Sequence, residues 1–240
     1  VSNGGNEPGS RALALQPVID LNNAKEQLRF RCREVGPDAL SDLEIITLLL
    51  VPLYRWEHAK TIAQRLLTEF QSLPELLNAP RHRLLEFPGV GPVLADTLSA
   101  IRQCIVRSAR AEITERRILD CWSEVIDYIQ ATMGYLEIEQ FRCLFLNKKH
   151  GVIADEVMQE GTVDHTPVYP REVMRRALIL QASALILVHN HPSGDPTPSR
   201  TDIELTAQLV DIAKPLGIEI NDHIIVARGL AVSFKGMNLL

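Results

Sequence analysis

The apolar run Ala184-Leu185-Ile186-Leu187-Val188 breaks abruptly into His189-Asn190-His191-Pro192-Ser193-Gly194-Asp195-Pro196-Thr197-Pro198-Ser199, and no other stretch restricts the fold as tightly. Five aliphatic residues in a row, ended by a Pro/Gly/Ser cluster, read as a buried strand. Side chains alternate along a strand, so His189 and His191 leave its end on one face. Asp202 follows one turn into the next helix. Two imidazoles and a carboxylate form a ligand set for a divalent metal, with Zn²⁺ the usual guest. They fill three of four tetrahedral positions, and the open fourth marks a catalytic rather than a closed structural site. Plainer readings exist for each part. His-x-His alone is a polar strand end, and Ser199 followed by Asp202 spells a helix capping box. Their joint occurrence, with three prolines stiffening the loop between, is what favours the metal.

The rest of the chain divides by texture. Residues 1–21, rich in Gly, Asn, Ser and Pro, are expected to be a flexible lead-in. From 22 to 111 the pattern is helical throughout. Asn22 or Asn23 caps a first helix that stops near Gly36-Pro37, Ser41 and Glu44 form a capping box, and Ser72 with Glu75 marks another start. The turn Pro88-Gly89-Val90-Gly91 precedes a long helix from Pro92 to about Arg110. The polar segment 112–117 is the expected boundary. Beyond it, in 118–240, strands interleave with helices: Trp122–Met133 helical, Gln140–Asn147 a strand, a hairpin turn at Lys148–Gly151, Pro170–Leu180 helical, then the histidine-bearing strand. The helix Ser199–Lys214, a strand Ile218–Ile220 and a last strand Asp222–Val226 complete it. The chain is therefore expected to have an all-α N-terminal domain and an α/β C-terminal domain with a mixed sheet.

Several chemistries are excluded by missing partners. The chain lacks H-E-x-x-H and G-x-S-x-G, and no P-C-x-x-C follows the histidines, which removes zincin, serine-hydrolase and deaminase chemistry. The letters His189-Asn190-His191 do not make an HNH nuclease, whose three residues are spread over a hairpin and helix. A hydrolytic zinc site still needs a proton acceptor that is not a ligand, usually a Glu.

The histidine string resembles the JAMM/MPN metalloprotease signature: H-x-H, seven residues, Ser, two residues, Asp. More narrowly, the chain is similar over nearly its whole length to RadC-type proteins of the UPF0758 family. Gly161-Thr162-Val163, Pro170-Arg171-Glu172, Asp222-His223-Ile224, Gly36–Asp42 and the Pro88–Gly91 turn support this. The resemblance implies an MPN fold, itself cytidine-deaminase-like, with His189, His191 and Asp202 as zinc ligands. It implies Ser199 as a hydrogen-bond donor to the attacking water or the developing oxyanion. It implies Glu139 as general acid/base, with Glu137, two residues away on the same strand face, the competing candidate. The implied activity is hydrolysis of a peptide or isopeptide bond in a protein substrate by a zinc-activated water. Asp195 is expected to shape its loop, and His223 either orients a ligand from behind or makes a strand-start hydrogen bond.

Leu84–Pro92 is similar to a helix-hairpin-helix element, spanning about 84–100. Gly89 and Gly91 let backbone amides approach a phosphate, and Arg81, His82 and Arg83 add charge. One departure stands out: Val93, Leu94, Ala95 and Asp96 follow Pro92, with no early basic residue, and Asp96 repels phosphate. The alternative function is thus a DNA-associated repair or recombination protein whose zinc domain binds or regulates, with weak, non-specific contact to DNA. The net charge of −5 gives no general pull toward nucleic acid or anionic membranes. Apolar runs too short to span a bilayer and four scattered cysteines point to the cytoplasm and to no membrane partner.

Overall fold

The computed structural model describes residues 23–114, 118–161 and 168–240. The expected lead-in, residues 115–117 of the boundary segment, Thr162, Val163 and His165 lie outside the described residues. The chain divides into two compact units, one ending at Glu69 and one running from Phe70 to Leu240.

The first unit is helical, and its first two α-helices open on side-chain caps. Asn23 Oδ1 accepts from Lys25 N at 3.0 Å and opens α1 (Ala24–Glu34). The Ser41–Glu44 capping box opens α2 (Asp42–Leu50), and α3 (Trp56–Phe70) follows. Leu28, Ile46, Leu50, Ala59, Ile62 and Leu66 are buried at the helical spacing the sequence shows.

The second unit begins with α4 (Leu73–Asn78), capped by Ser72, then α5 (Arg81–Glu86) and the long α6 (Pro92–Thr114). These helices fall in the same compact unit as the sheet, and the change of texture at 112–117 lies within that unit, after α6. The reason is packing: α6 lies along α7 (Trp122–Met133), and Ile113, with Val106 and Ala109 beside it, joins the core under the sheet.

The sheet is mixed and five-stranded. Its strands are β1 (Glu139–Leu146), β2 (Val152–Gly161), β3 (Ala184–Asn190), β4 (Glu219–Ala227) and β5 (Leu230–Ser233), ordered β2-β1-β3-β4-β5. Only β3 and β4 run parallel. Helix α8 (Pro170–Ile179) leads into β3, and α9 (Arg200–Ala213) makes the crossover to β4. Alternation sorts the strands into two layers. Leu144, Leu146, Ile186, Val188, Ile224 and Val226 pack on α7, while Phe141, Phe145, Leu185, Leu187 and Ile220 pack with Val173 and Met174 of α8 and Leu209 of α9. Phe145 is fully buried, and truncating such a side chain to Ala costs about 3–5 kcal/mol.

Two details differ from expectation. Ile218–Ile220 and Asp222–Val226 are not separate strands: Glu219–Ala227 is one strand whose register against β3 shifts, Leu185 pairing Ile220 and Ile186 pairing Asp222. Asn221 is the extra residue. Because of it, Ile220 and His223 face the same side although three positions apart, which broke the alternation that identifies a single strand. Nor is it the last strand. Four-residue β5 pairs with it antiparallel, too short and too exposed to carry a periodic signal.

Candidate metal centre

The C-terminal end of β3 carries the site. Its residues 184 to 190 are all buried, and the ladder continues one residue further, where His191 N donates to the Val226 carbonyl at 2.9 Å. His189 shares the face of Leu185 and Leu187, under α8 and α9. Phe141, paired with His189 across β1 and β3, stacks against its ring with centroids 6.4 Å apart. The loop after His191 is tied by Asp195, whose Oδ1 accepts from Thr197 N at 2.9 Å and Thr197 Oγ1 at 2.6 Å. Those two bonds hold its carboxyl below the usual range, and they give Asp195 the turn-shaping role expected of it.

Ser199 then caps α9. Its Oγ accepts from Asp202 N at 3.2 Å, while Asp202 Oδ2 accepts from Ser199 N at 2.7 Å and Ser199 Oγ at 2.6 Å. The capping box aims Asp202 at the histidines. Its Oδ1 lies 3.4 Å from His189 Nε2 and its Oδ2 3.7 Å from His191 Nε2. Burial opposes ionising Asp202, but the nearby His191 and His189 rings and the two bonds from Ser199 outweigh it and hold the carboxyl well below its ordinary range.

Hydrogen bonding shows whether these residues fit a cation. His191 Nδ1 is 2.7 Å from the Asp195 carbonyl, which can only accept, so Nδ1 carries the hydrogen and Nε2 of the neutral ring is bare. That Nε2 lies 2.8 Å from His189 Nε2. Two ring nitrogens so close require a proton or a cation between them. The ligand atoms stand 2.8, 3.4 and 3.7 Å apart, bracketing the edge of about 3.4 Å of a tetrahedron with bonds of about 2.0–2.1 Å. The residues present therefore fit a metal ion. The nearby Asp202 carboxylate raises the pKa of His191 against its partial burial, with the Asp195 carbonyl helping. Burial pushes His189 down to about 4, against the pull of Asp202.

Behind His189 the polar contacts continue. Its Nδ1 meets His223 Nε2 at 2.8 Å, and His223 Nδ1 meets Thr206 Oγ1 at 2.6 Å. His223 is completely buried, and burial takes its pKa well below the ordinary value.

Glu139 is the first residue of β1. The β1–β3 register, carried two residues past the Phe141–His189 pair, sets it opposite His191. Its carboxyl is raised by burial first, and further by Asp202, with His191 opposing. Glu137 is placed differently from expectation: it sits in a bend before the strand rather than on its face, and ion-pairs with Arg83 at 3.6 Å. Asn190, the middle residue of the string and absent from the sequence-based candidates, points to the other side. Its Oδ1 accepts from Gln140 N at 2.8 Å and its Nδ2 donates to the Ile138 carbonyl at 3.1 Å, pinning the backbone on both sides of Glu139. Its only sequence signal is a polar residue inside a buried strand.

Gly89 and Gly91 take no part in these contacts. Gly89 has φ 99°, a conformation that favours glycine, in the turn between α5 and α6. Asp96 is engaged by Arg81 at 2.6 Å. Among the described residues no helix is long and apolar enough to cross a membrane.

Residues 119–239 match the family described as RadC-like JAB domain, and residues 19–95 match the family described as UPF0758 N-terminal.

Proposed function

Because the chain belongs to the RadC-like JAB family, whose fold is that of JAMM-type metal-dependent hydrolases, we propose that it is a zinc-dependent peptidase or isopeptidase. The observation that carries this reading is the convergence of His189 Nε2, His191 Nε2 and an Asp202 carboxylate oxygen within 4.8 Å of one another, with the raised carboxyl of Glu139 beside them. Zn²⁺, when bound, supplies Lewis acidity to the scissile carbonyl and acidifies water. His189, His191 and Asp202 would hold it; the Ser199 amide keeps Asp202 oriented, and the Ser199 hydroxyl, turned from Asp202 Oδ2, donates to the developing oxyanion. Glu139 takes a proton from the attacking water as the new C–O bond forms. It returns that proton to the nitrogen as the C–N bond breaks, leaving a carboxylic acid and an amine, which become carboxylate and ammonium when the remaining water proton passes between them. A carboxyl raised above its ordinary range is the stronger base for the first transfer, and a pKa nearer the operating pH suits it to both taking and returning the proton.

Digestion of a peptide library by zinc-loaded protein tests this. Cleavage by wild type that falls about 10²–10⁴-fold in Glu139→Gln, with zinc content unchanged, is the expected result. Zinc-loaded wild type that cleaves nothing overturns it. That outcome leaves the second reading: a DNA-associated protein whose metal domain binds or regulates. The glycine turn at Gly89 and Gly91 supports it, as does the pairing of Asp96 with Arg81, which offsets the charge that would repel phosphate. We place the protein in the cytoplasm, since no disulfide joins its four cysteines.

A further inference from the structure

We propose that His223 and Thr206 form a positioning relay that holds His189 in the one tautomer able to ligate a metal. This rests on the metal-centre reading of His189, His191 and Asp202, and it holds whether or not the centre hydrolyses anything.

The direction of every hydrogen bond follows from one fixed end. Thr206 Oγ1 lies 2.6 Å from the backbone carbonyl oxygen of Asp202. Two oxygens that close need a proton between them, and only the hydroxyl has one. Having donated it, Thr206 can only accept from His223 Nδ1 at 2.6 Å, so His223 carries its hydrogen there. His223 is completely buried with Thr206 and His189 on its two ring nitrogens and no carboxylate on either, so its ring is neutral; its Nε2 is then bare and accepts from His189 Nδ1 at 2.8 Å. His189, buried with its hydrogen on Nδ1, is left with a bare Nε2 facing His191 and Asp202. Reversing the relay would put the hydrogen on His189 Nε2 and close the lone pair to a metal. It would also leave the Thr206 and Asp202 oxygens at 2.6 Å with nothing between them.

The relay closes on itself. It starts at the carbonyl of Asp202 and ends at the ring nitrogen nearest the Asp202 carboxylate, so one turn of α9 fixes both a ligand and the tautomer of its neighbour. The rings are held sterically as well: Phe141 meets His223 edge-on with centroids 5.8 Å apart, and Phe234 lies 4.5 Å from it on the other contact.

Two measurements on the full chain test the relay. The first is a long-range ¹H–¹⁵N spectrum of metal-free wild type, in which His189 and His223 are both expected as Nδ1–H tautomers. An Nε2–H at His189 overturns the proposal without any variant being made. The second uses Co²⁺ as the probe, followed by its visible absorption. Thr206→Val is expected to weaken Co²⁺ binding about 10–100-fold and to mix the two tautomers, while Thr206→Ser restores both. A role confined to packing predicts lower stability with unchanged tautomers and affinity, and that result in Thr206→Val overturns the relay alone. Wild type that takes up no Co²⁺ overturns the metal centre and the relay with it.

Discussion

Two helices of this protein begin with the same device and use it differently. At the start of α2, Ser41 accepts from Glu44 N and the Glu44 carboxylate accepts from Ser41 N. At the start of α9, Ser199 and Asp202 do the same. In α2 the spare carboxylate oxygen meets the guanidinium of Arg31, so a cation built into the chain balances the charge. In α9 the corresponding oxygen, Oδ1, meets the His189 imidazole, and the capping oxygen Oδ2 lies toward His191; both rings, when neutral, bring lone pairs instead of charge. The local motif is thus neutral about function. What surrounds the third residue decides whether a cap is only a cap. The shorter Asp also holds its carboxylate nearer the backbone with fewer rotamers, which suits a ligand better than a surface ion pair does.

The sharpest way to separate the two boxes is to remove the acid from each. Asp202→Ala is expected to reduce zinc from about one per chain to near zero, and Glu44→Ala to leave it unchanged; elemental analysis reads both. Equal zinc in the two variants would erase the distinction.

Removing the serine is gentler. Ser41→Ala and Ser199→Ala should each cost about 1 kcal/mol in urea unfolding of metal-free protein, because each loses a cap. Only Ser199→Ala should also weaken metal binding, about tenfold in a chelator competition, since a ligand then loses an orienting bond. Unchanged affinity in that variant would reduce the second box to the status of the first.

The smallest effect is in pH. The hydrogen bond from Ser41 N, aided by its hydroxyl and by Arg31, lowers the carboxyl of Glu44 from 4.5 despite partial desolvation. A depressed folded-state pKa contributes stability that is present above the unfolded value and lost as pH falls through the folded one. The difference in urea midpoint between wild type and Glu44→Gln should therefore shrink on acidification from about pH 6 to about pH 3. A difference that stays constant or grows would show that the box is not held by the ionised carboxylate.

Both boxes could be read from the chain, as could the caps at Asn23 and Ser72 and the ligand trio, because each depends on residues a few positions apart. The helix and strand layers were legible for the same reason. What escaped depends on distant partners. Nothing near Thr206 says that its hydroxyl faces His223; the sequence leaves His223 between two roles, and only its 2.8 Å contact with His189, 34 residues earlier, selects the place behind a ligand. Asn190 looked like a spacer because its partners are the amide of Gln140 and the carbonyl of Ile138, on the neighbouring strand and its approach. The affiliation of α6 was hidden likewise, since its apolar face looks the same whichever layer it covers.

The extra residue in β4 makes strand length a matter of parity. Leu187 pairs with His223, and both face the layer that holds His189, only because Asn221 is left out of the pairing. Were the kink straightened so that Asn221 joined the ladder, everything downstream would slip by one position, setting Asp222 where His223 stands and His223 where Ile224 stands. A carboxylate would then sit where the relay needs a ring nitrogen, and an imidazole would lie among the aliphatics under α7.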